Sequence, residues 1–194
     1  TVNVYDTISN SAVNSLFSTF PGYSPQFTKD NLAATAYRTK SSDSWNFKYY
    51  SYDERKRVIK MWNIISGNAT FITEYKYNSQ DQITIYSHTG PEDTKTYRNT
   101  YDYAGRLSKV DYYIGVPDII EPEYINIAEY SYNENSQVNS QRFNNNSLEN
   151  IFSYNNRNWV TDIRNTDNYF RSENSYYKNG NVKTQNLSGD YSRN

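Results

Sequence analysis

The chain has 194 residues, the size of one domain or part of one, and combines a hydrophobic content of only 36% with a mean hydropathy of −0.98. Aromatic residues nevertheless make up 17%, with 22 Tyr, which argues against disorder because disordered chains are poor in rings. Basic and acidic residues balance at 20 and 21 and Cys is absent, so strong attraction to nucleic acid or anionic membrane is not expected, and disulfides, thiolate metal sites and Cys nucleophiles are excluded.

Residues Thr1 to Asp30 form an N-terminal segment without a repeat. It has neither the basic start nor the apolar run of a signal peptide, as expected of a mature form or a fragment. No stretch of the chain approaches the roughly 18 apolar residues needed to span a bilayer. Val13 to Phe20 reads as a short strand or a helical turn, and Phe20-Pro21-Gly22-Tyr23-Ser24-Pro25 reads as turns. Thr35 to Thr39 and Ser44 to Tyr52 read as strands flanking a turn at Lys40 to Asp43.

From residue 31 to 194 one frame dominates: a Tyr, then usually Asp or Asn, then four variable residues, then an aliphatic residue. It occurs as Tyr52-Asp53 with Val58, Tyr77-Asn78 with Ile83, Tyr101-Asp102 with Leu107, Tyr132-Asn133 with Val138, Tyr154-Asn155 with Val160, and Tyr176 with Val182, where Tyr177 takes the Asp/Asn place. These are copies one to six, with starts 22 to 31 residues apart. Tyr50, Tyr75, Tyr130 and Phe152 lie two residues before the frame, on the same face of an incoming strand as the Tyr, whereas Asn99 and Asn174 break this second anchor. The Asp or Asn starts a turn by bonding the backbone two residues on. Gly105 and Gly180 stand where a positive φ suits a hairpin loop; Asn158 tolerates that conformation, and Lys56, Asp81 and Ser136 do so less readily. The aliphatic residue begins the return strand. Each copy is therefore a β-hairpin, marginal alone, and stacked copies pair their edges and align their rings. The expected class is all-β, with consecutive antiparallel hairpins forming a curved sheet of about 12–15 strands, on the order of 60–70 Å wide.

Between copies three and four, Gly115-Val116-Pro117-Asp118-Ile119-Ile120-Glu121-Pro122-Glu123 reads as an exposed insertion, and Asn144-Asn145-Asn146-Ser147 and Asn179-Gly180 as hairpin tips. No catalytic or metal site is expected, and no cofactor. His88 is the only His, and Glu92 and Asp93 near it lie past the Gly90-Pro91 turn, so a structural or surface role is its reading. Carboxylate pairs such as Asp53/Glu54 and Glu121/Glu123 sit in turns, where acids are usually solvated; no nucleophile elbow or phosphate loop appears. One alternative uses the rings: Trp45, Trp62 and Trp159, with the tyrosines, would stack on glycans or other ligands in a repeat-built binding module.

Tyr101-Asp102-Tyr103-Ala104-Gly105-Arg106-Leu107 resembles the signature of the RHS/YD-repeat family. Tyr52-Asp53-Glu54-Arg55-Lys56-Arg57-Val58 is similar, with Lys56 in place of Gly, and Tyr154-Asn155-Asn156-Arg157-Asn158-Trp159-Val160 resembles a variant form; copies two and four lack Gly-Arg. The resemblance implies part of a β-shell, whose hairpins spiral into a hollow wall in bacterial toxins and teneurin-like surface proteins. It implies a secreted or cell-surface bacterial location. The implied partners are the remainder of a larger RHS-repeat polypeptide, other shell segments and an enclosed C-terminal toxin domain. The aspartate-cleaved core that follows the repeats in toxin-bearing members has no counterpart here, so no autoproteolytic residue carries over. A partial wall with two open edges is expected to self-associate.

Overall fold

A computed structural model describes residues 1–6, 17, 22–65, 70–116, 123–145, 147–167 and 169–189. The readings made for residues 13–16 and 18–21, for the insertion at 117–122 with Glu121, and for Asn146 lie outside these residues.

The described residues form one 14-stranded sheet in which every strand lies beside its neighbours in sequence. The strands are β1 (Val2–Tyr5), β2 (Leu32–Tyr37), β3 (Asn46–Tyr52), β4 (Val58–Ile64), β5 (Thr70–Tyr77), β6 (Ile83–Thr89), β7 (Thr94–Tyr101), β8 (Leu107–Ile114), β9 (Ile125–Tyr132), β10 (Val138–Phe143), β11 (Leu148–Tyr154), β12 (Val160–Asn165), β13 (Arg171–Tyr176) and β14 (Val182–Ser188). The class is all-β and antiparallel, as the repeat predicts. In all six copies the incoming strand ends on the frame Tyr and the return strand starts on the frame aliphatic residue. The strand expected from Thr35 starts earlier, at Leu32, and β1 adds an edge strand within a segment that shows no repeat.

Contacts group the chain into two units, Thr1–Tyr97 with Tyr113–Pro122, and Arg98–Tyr112 with Glu123–Asn194. In the first unit Phe17 and Tyr23, which precede β2, pack on one face of the sheet. Ala34 and Ala36 of β2 leave room for Phe17, which meets Phe47 edge-on at 5.6 Å and Tyr49 at 6.2 Å. Tyr23 packs on Tyr49 at 5.0 Å and on Trp62 at 5.3 Å. Burial, with the neighbouring phenols of Tyr49 and Tyr52, pushes the Tyr23 phenol up to about 12. Gln26 N–H donates to the buried Ser51 hydroxyl, and Tyr52 N–H donates to the Gln26 carbonyl, so the segment is tied to β3.

In the second unit one face carries ion pairs across the strands. Asp111, 1% exposed, accepts from Arg98 at 2.7 Å and Lys109 at 3.2 Å, and the Arg98 guanidinium lies 3.6 Å over the Tyr124 ring. Arg142 pairs with Glu149 at 3.0 Å, and Arg171 bridges Asp162 at 2.7 Å and Glu173 at 2.9 Å. The strand alternation turns Tyr130, Tyr132, Phe152 and Tyr154 to the other face.

The turns share one backbone device. The residue four after the frame Tyr has a positive φ in every copy: 62° at Lys56, 63° at Asp81, 77° at Gly105, 61° at Ser136, 64° at Asn158 and 91° at Gly180. Lys56, Asp81 and Ser136 adopt it as fully as the glycines, because two turn hydrogen bonds close around the position. In copy one Asp53 N–H donates to the Arg57 carbonyl and Lys56 N–H to the Asp53 carbonyl, and the other five copies repeat this pair. An L side chain there costs roughly 1 kcal/mol. Lys56→Gly should therefore raise stability by about 0.5–1 kcal/mol and Gly105→Ala lower it by about 1 kcal/mol, as read from urea unfolding midpoints at unchanged slope. Effects of the same sign at both positions would contradict this account.

Candidate functional site

The features that recur from copy to copy lie at the hairpin turns and at the joints between successive hairpins. The Asp or Asn after the frame Tyr closes its own turn through Oδ1, which accepts from the backbone two and four residues on. The acceptor is Asp53 for Arg55 and Arg57, Asn78 for Gln80 and Gln82, Asp102 for Ala104 and Arg106, Asn133 for Asn135 and Gln137, and Asn155 for Arg157 and Trp159. In copy six, Tyr177 cannot do this, and Asn179 accepts from Asn181 N–H instead.

The frame Tyr then reaches across to the preceding hairpin. The ladder between hairpins stops short of the turns: its first pairs are Lys60 with Glu74, Lys109 with Glu129, Ser140 with Ile151, and Asp162 with Glu173. Two residues before each of these stands the frame aliphatic residue, and a phenol takes its carbonyl. Tyr77 donates to Val58 at 2.7 Å, Tyr132 to Leu107 at 2.7 Å, Tyr154 to Val138 at 2.6 Å and Tyr176 to Val160 at 2.5 Å. Tyr52 does the same to Leu32 at 2.8 Å, at the start of β2, the strand before its own. Burial holds the phenols of Tyr52, Tyr77, Tyr132 and Tyr154 above the ordinary tyrosine value, so each remains a protonated donor.

A clasp at the position before the aliphatic residue completes the joint. In copies one and three it is ionic: Arg57 binds Asp53 through Nε at 2.7 Å, and Arg106 binds Asp102 at 2.7 Å. Both guanidinium groups lie 4.5 Å over the next frame ring, Tyr77 or Tyr132 in turn. Each also reaches the next turn, Arg57 at Asp81 and Arg106 at the Ser136 hydroxyl. In copies two and four the clasp is an amide pair: Asn78 donates to Gln82 at 2.8 Å and Asn133 to Gln137 at 3.0 Å, with Gln137 donating onward to the Asn158 carbonyl. The sequence reading identified the frame Tyr, the Asp or Asn and the aliphatic residue. It missed Arg57, Gln82 and Gln137 as partners, although their fixed spacing of four from an Asp or Asn of matching charge was available as a signal.

The other candidate residues fall elsewhere. His88 Nδ1 lies 3.0 Å from the Thr73 hydroxyl, with its ring edge-on to Tyr86. Among the described residues no three of His, Asp and Glu gather as a metal site. Asp53 is consumed by Arg57. Trp62 corrects the ligand-stacking expectation: it is 2% exposed, packed under Tyr23, and offers no face to a ligand. Trp45 lies in the first unit under Arg38 at 4.4 Å, while Trp159 lies in the second, against Tyr176 at 5.2 Å.

Two outcomes follow from this geometry. Tyr154→Phe strands the Val138 carbonyl and should destabilise the chain by about 1–2 kcal/mol, whereas Tyr103→Phe, at a ring 98% exposed, should stay within about 0.5 kcal/mol. Equal effects in urea unfolding would remove the phenol from its role. The Arg106 side chain and backbone, with the Ala104 N–H, hold the Asp102 carboxyl below its ordinary value. The unfolded chain therefore binds protons first as pH falls, so stability present above about pH 4 is lost progressively below it. Replacing the pair by Asp102→Asn with Arg106→Gln rebuilds the amide clasp of copies two and four and should flatten the acid limb of the stability profile while leaving the fold intact near neutrality.

No protein-family model matches this sequence, and neither does any curated protein. Among solved structures, the fold recurs in the crystal structure of TcdB2-TccC3-Cdc42, with a TM-score of 0.66 and 13% identity over 86% of this chain. It recurs also in a Photorhabdus luminescens Tc holotoxin pore carrying a TccC3 mutation, with a TM-score of 0.61 and 12% identity over 85% of this chain. The present chain spans 8% and 10% of those chains. At this level of identity the likeness is one of fold.

Proposed function

We propose that this chain is a wall segment of an RHS/YD-repeat shell: a structural scaffold with no catalysis of its own, part of a larger bacterial assembly outside the cell that encloses a toxic polypeptide. The observation that carries this reading is the repeated joint. Copies two, four, five and six dock on the hairpin before them by the same phenol bond, so the wall extends sideways by adding hairpins and needs no second layer at each step. The fold likeness to Tc toxin shells supports the scaffold. The use of the ionisable groups supports a non-catalytic role. Asp53 and Asp102 close turns, and Asp111 is held by Arg98, Lys109 and Asn126.

Further shell segments are the partners in this reading, and β14 is where the next one docks. It lies at one end of the strand order, and all seven of its residues are exposed, including Val182 at 55% and Leu187 at 60%. A sheet edge of this kind pairs with another strand unless charge or a bulge blocks it. The chain expressed alone should associate with itself in sedimentation experiments as concentration rises, and Val182→Lys with Leu187→Lys should shift it toward monomer. A wild-type chain that sediments as a monomer at every concentration would count against the wall.

A further inference from the structure

Copy five departs from the clasp in a way that opens a cavity. Where copies one to four place Arg or Gln, copy five has Trp159. An indole has no acceptor, so the Nδ2 of Asn155 loses the side-chain partner that Gln82 and Gln137 give Asn78 and Asn133. A cavity of about 560 Å³ lies at this turn, within the roughly 300–1,000 Å³ usual for small-molecule sites. Trp159 and Tyr176 supply its rings, 5.2 Å apart and tilted by 49°. Asn155 and Asn174 supply amides, and Arg157 and Lys178 supply two cations; the Arg157 guanidinium lies 5.2 Å from the centre of the Trp159 ring and donates to the Lys178 carbonyl at 2.6 Å, and no carboxylate lines the cavity. The nearest strand acids, Asp162 and Glu173, sit on the opposite face and are held by Arg171.

We propose that this cavity binds an acidic saccharide, a sugar ring carrying a carboxylate. The ring face of such a sugar stacks on Trp159 and Tyr176, its hydroxyls meet Asn155 and Asn174, and its carboxylate meets Arg157 and Lys178. Amide side chains beside an aromatic platform suit the alternating hydroxyls and C–H faces of a sugar. Two cations without a nearby acid select for the charged form over the neutral one. The site lies at the lateral joint between copies five and six, where the Tyr176 hydroxyl donates to the Val160 carbonyl, and its ligand does not depend on the shell reading.

Titration of the 194-residue chain with a galacturonic acid trisaccharide tests it, followed by calorimetry and by tryptophan emission, with maltotriose as the neutral control. Saturable binding of the acidic sugar, at least tenfold tighter than the neutral one, is expected. Trp159→Gln restores the amide clasp of copies two and four, which folds in this sheet, and should abolish binding with the circular dichroism spectrum retained. Arg157→Gln with Lys178→Gln changes two exposed side chains and should weaken binding at least tenfold. Absence of saturable binding in the parent chain, equal affinity for the neutral sugar, or undiminished binding by Trp159→Gln would each overturn the proposal.

Discussion

A backbone carbonyl left outside the ladder at the root of a hairpin, and the phenol of the next frame Tyr that takes it, is the constraint on which this sheet depends. The ladder between hairpins cannot run to the turn, because the turn needs a left-handed residue and a register shift at the frame Tyr, as between Ser51 and Tyr52 or Lys76 and Tyr77. An acceptor such as Val58 C=O would then be half-buried without a donor, at a cost of about 1–3 kcal/mol. Tyr77 removes that cost with a hydroxyl and covers the same junction with its ring. Phe would supply only the cover. Exposed ion pairs such as Arg55 with Asp81 add little beside it, since pairs of that kind contribute about 0–1 kcal/mol each.

That division of labour explains the composition. A sheet stabilised mostly between neighbouring strands does not need a second layer over every residue, so it does not need a high aliphatic content. Tyr suits such a layer because its body is apolar and its tip can be satisfied. In the second unit the opposite face is closed by cross-strand charge, with Asp111, Glu149 and Asp162 each answered by an Arg. Desolvation raises the Asp111 pKa, but the hydrogen bonds from Arg98, Asn126 and Lys109 outweigh it and keep the carboxylate charged. The first unit differs at β2 to β5, where Phe17 and Tyr23 provide a covering layer and the core becomes aromatic and aliphatic.

The parts of this architecture visible in the sequence are those whose determinants are local. The bounds of six hairpins were legible because Tyr, an Asx residue and an aliphatic residue fall within seven positions, and a turn is decided by its own residues. The phenol's acceptor was not legible, since a carbonyl 16 to 25 residues away has no side-chain signature. Nor was the fate of Trp62: whether a ring on a strand is covered depends on Phe17 and Tyr23, which belong to a segment without a pattern. The positive φ at Lys56, Asp81 and Ser136 was underestimated because residue preference was weighed without the two turn bonds that impose the conformation. β1 escaped notice for a related reason: four residues carry too few alternations to distinguish a strand.

The clasp shows which features of a repeat can vary and which cannot. Asp with Arg and Asn with Gln are interchangeable because each pair offers one donor and one acceptor at the same spacing, so charge changes while geometry does not. Trp159 breaks that pairing and needs its own compensation. A Cβ at position 180 would stand 3.2 Å from the Trp159 ring, and Gly180 also has a φ of 91°. The indole therefore fits because the following turn has no side chain there. Copies five and six are coupled through that glycine as well as through polar contacts, the Tyr176 phenol on the Val160 carbonyl and Arg157 on the Lys178 carbonyl. A substitution at Gly180 is thus constrained twice, by the turn of its own hairpin and by the ring of the one before it.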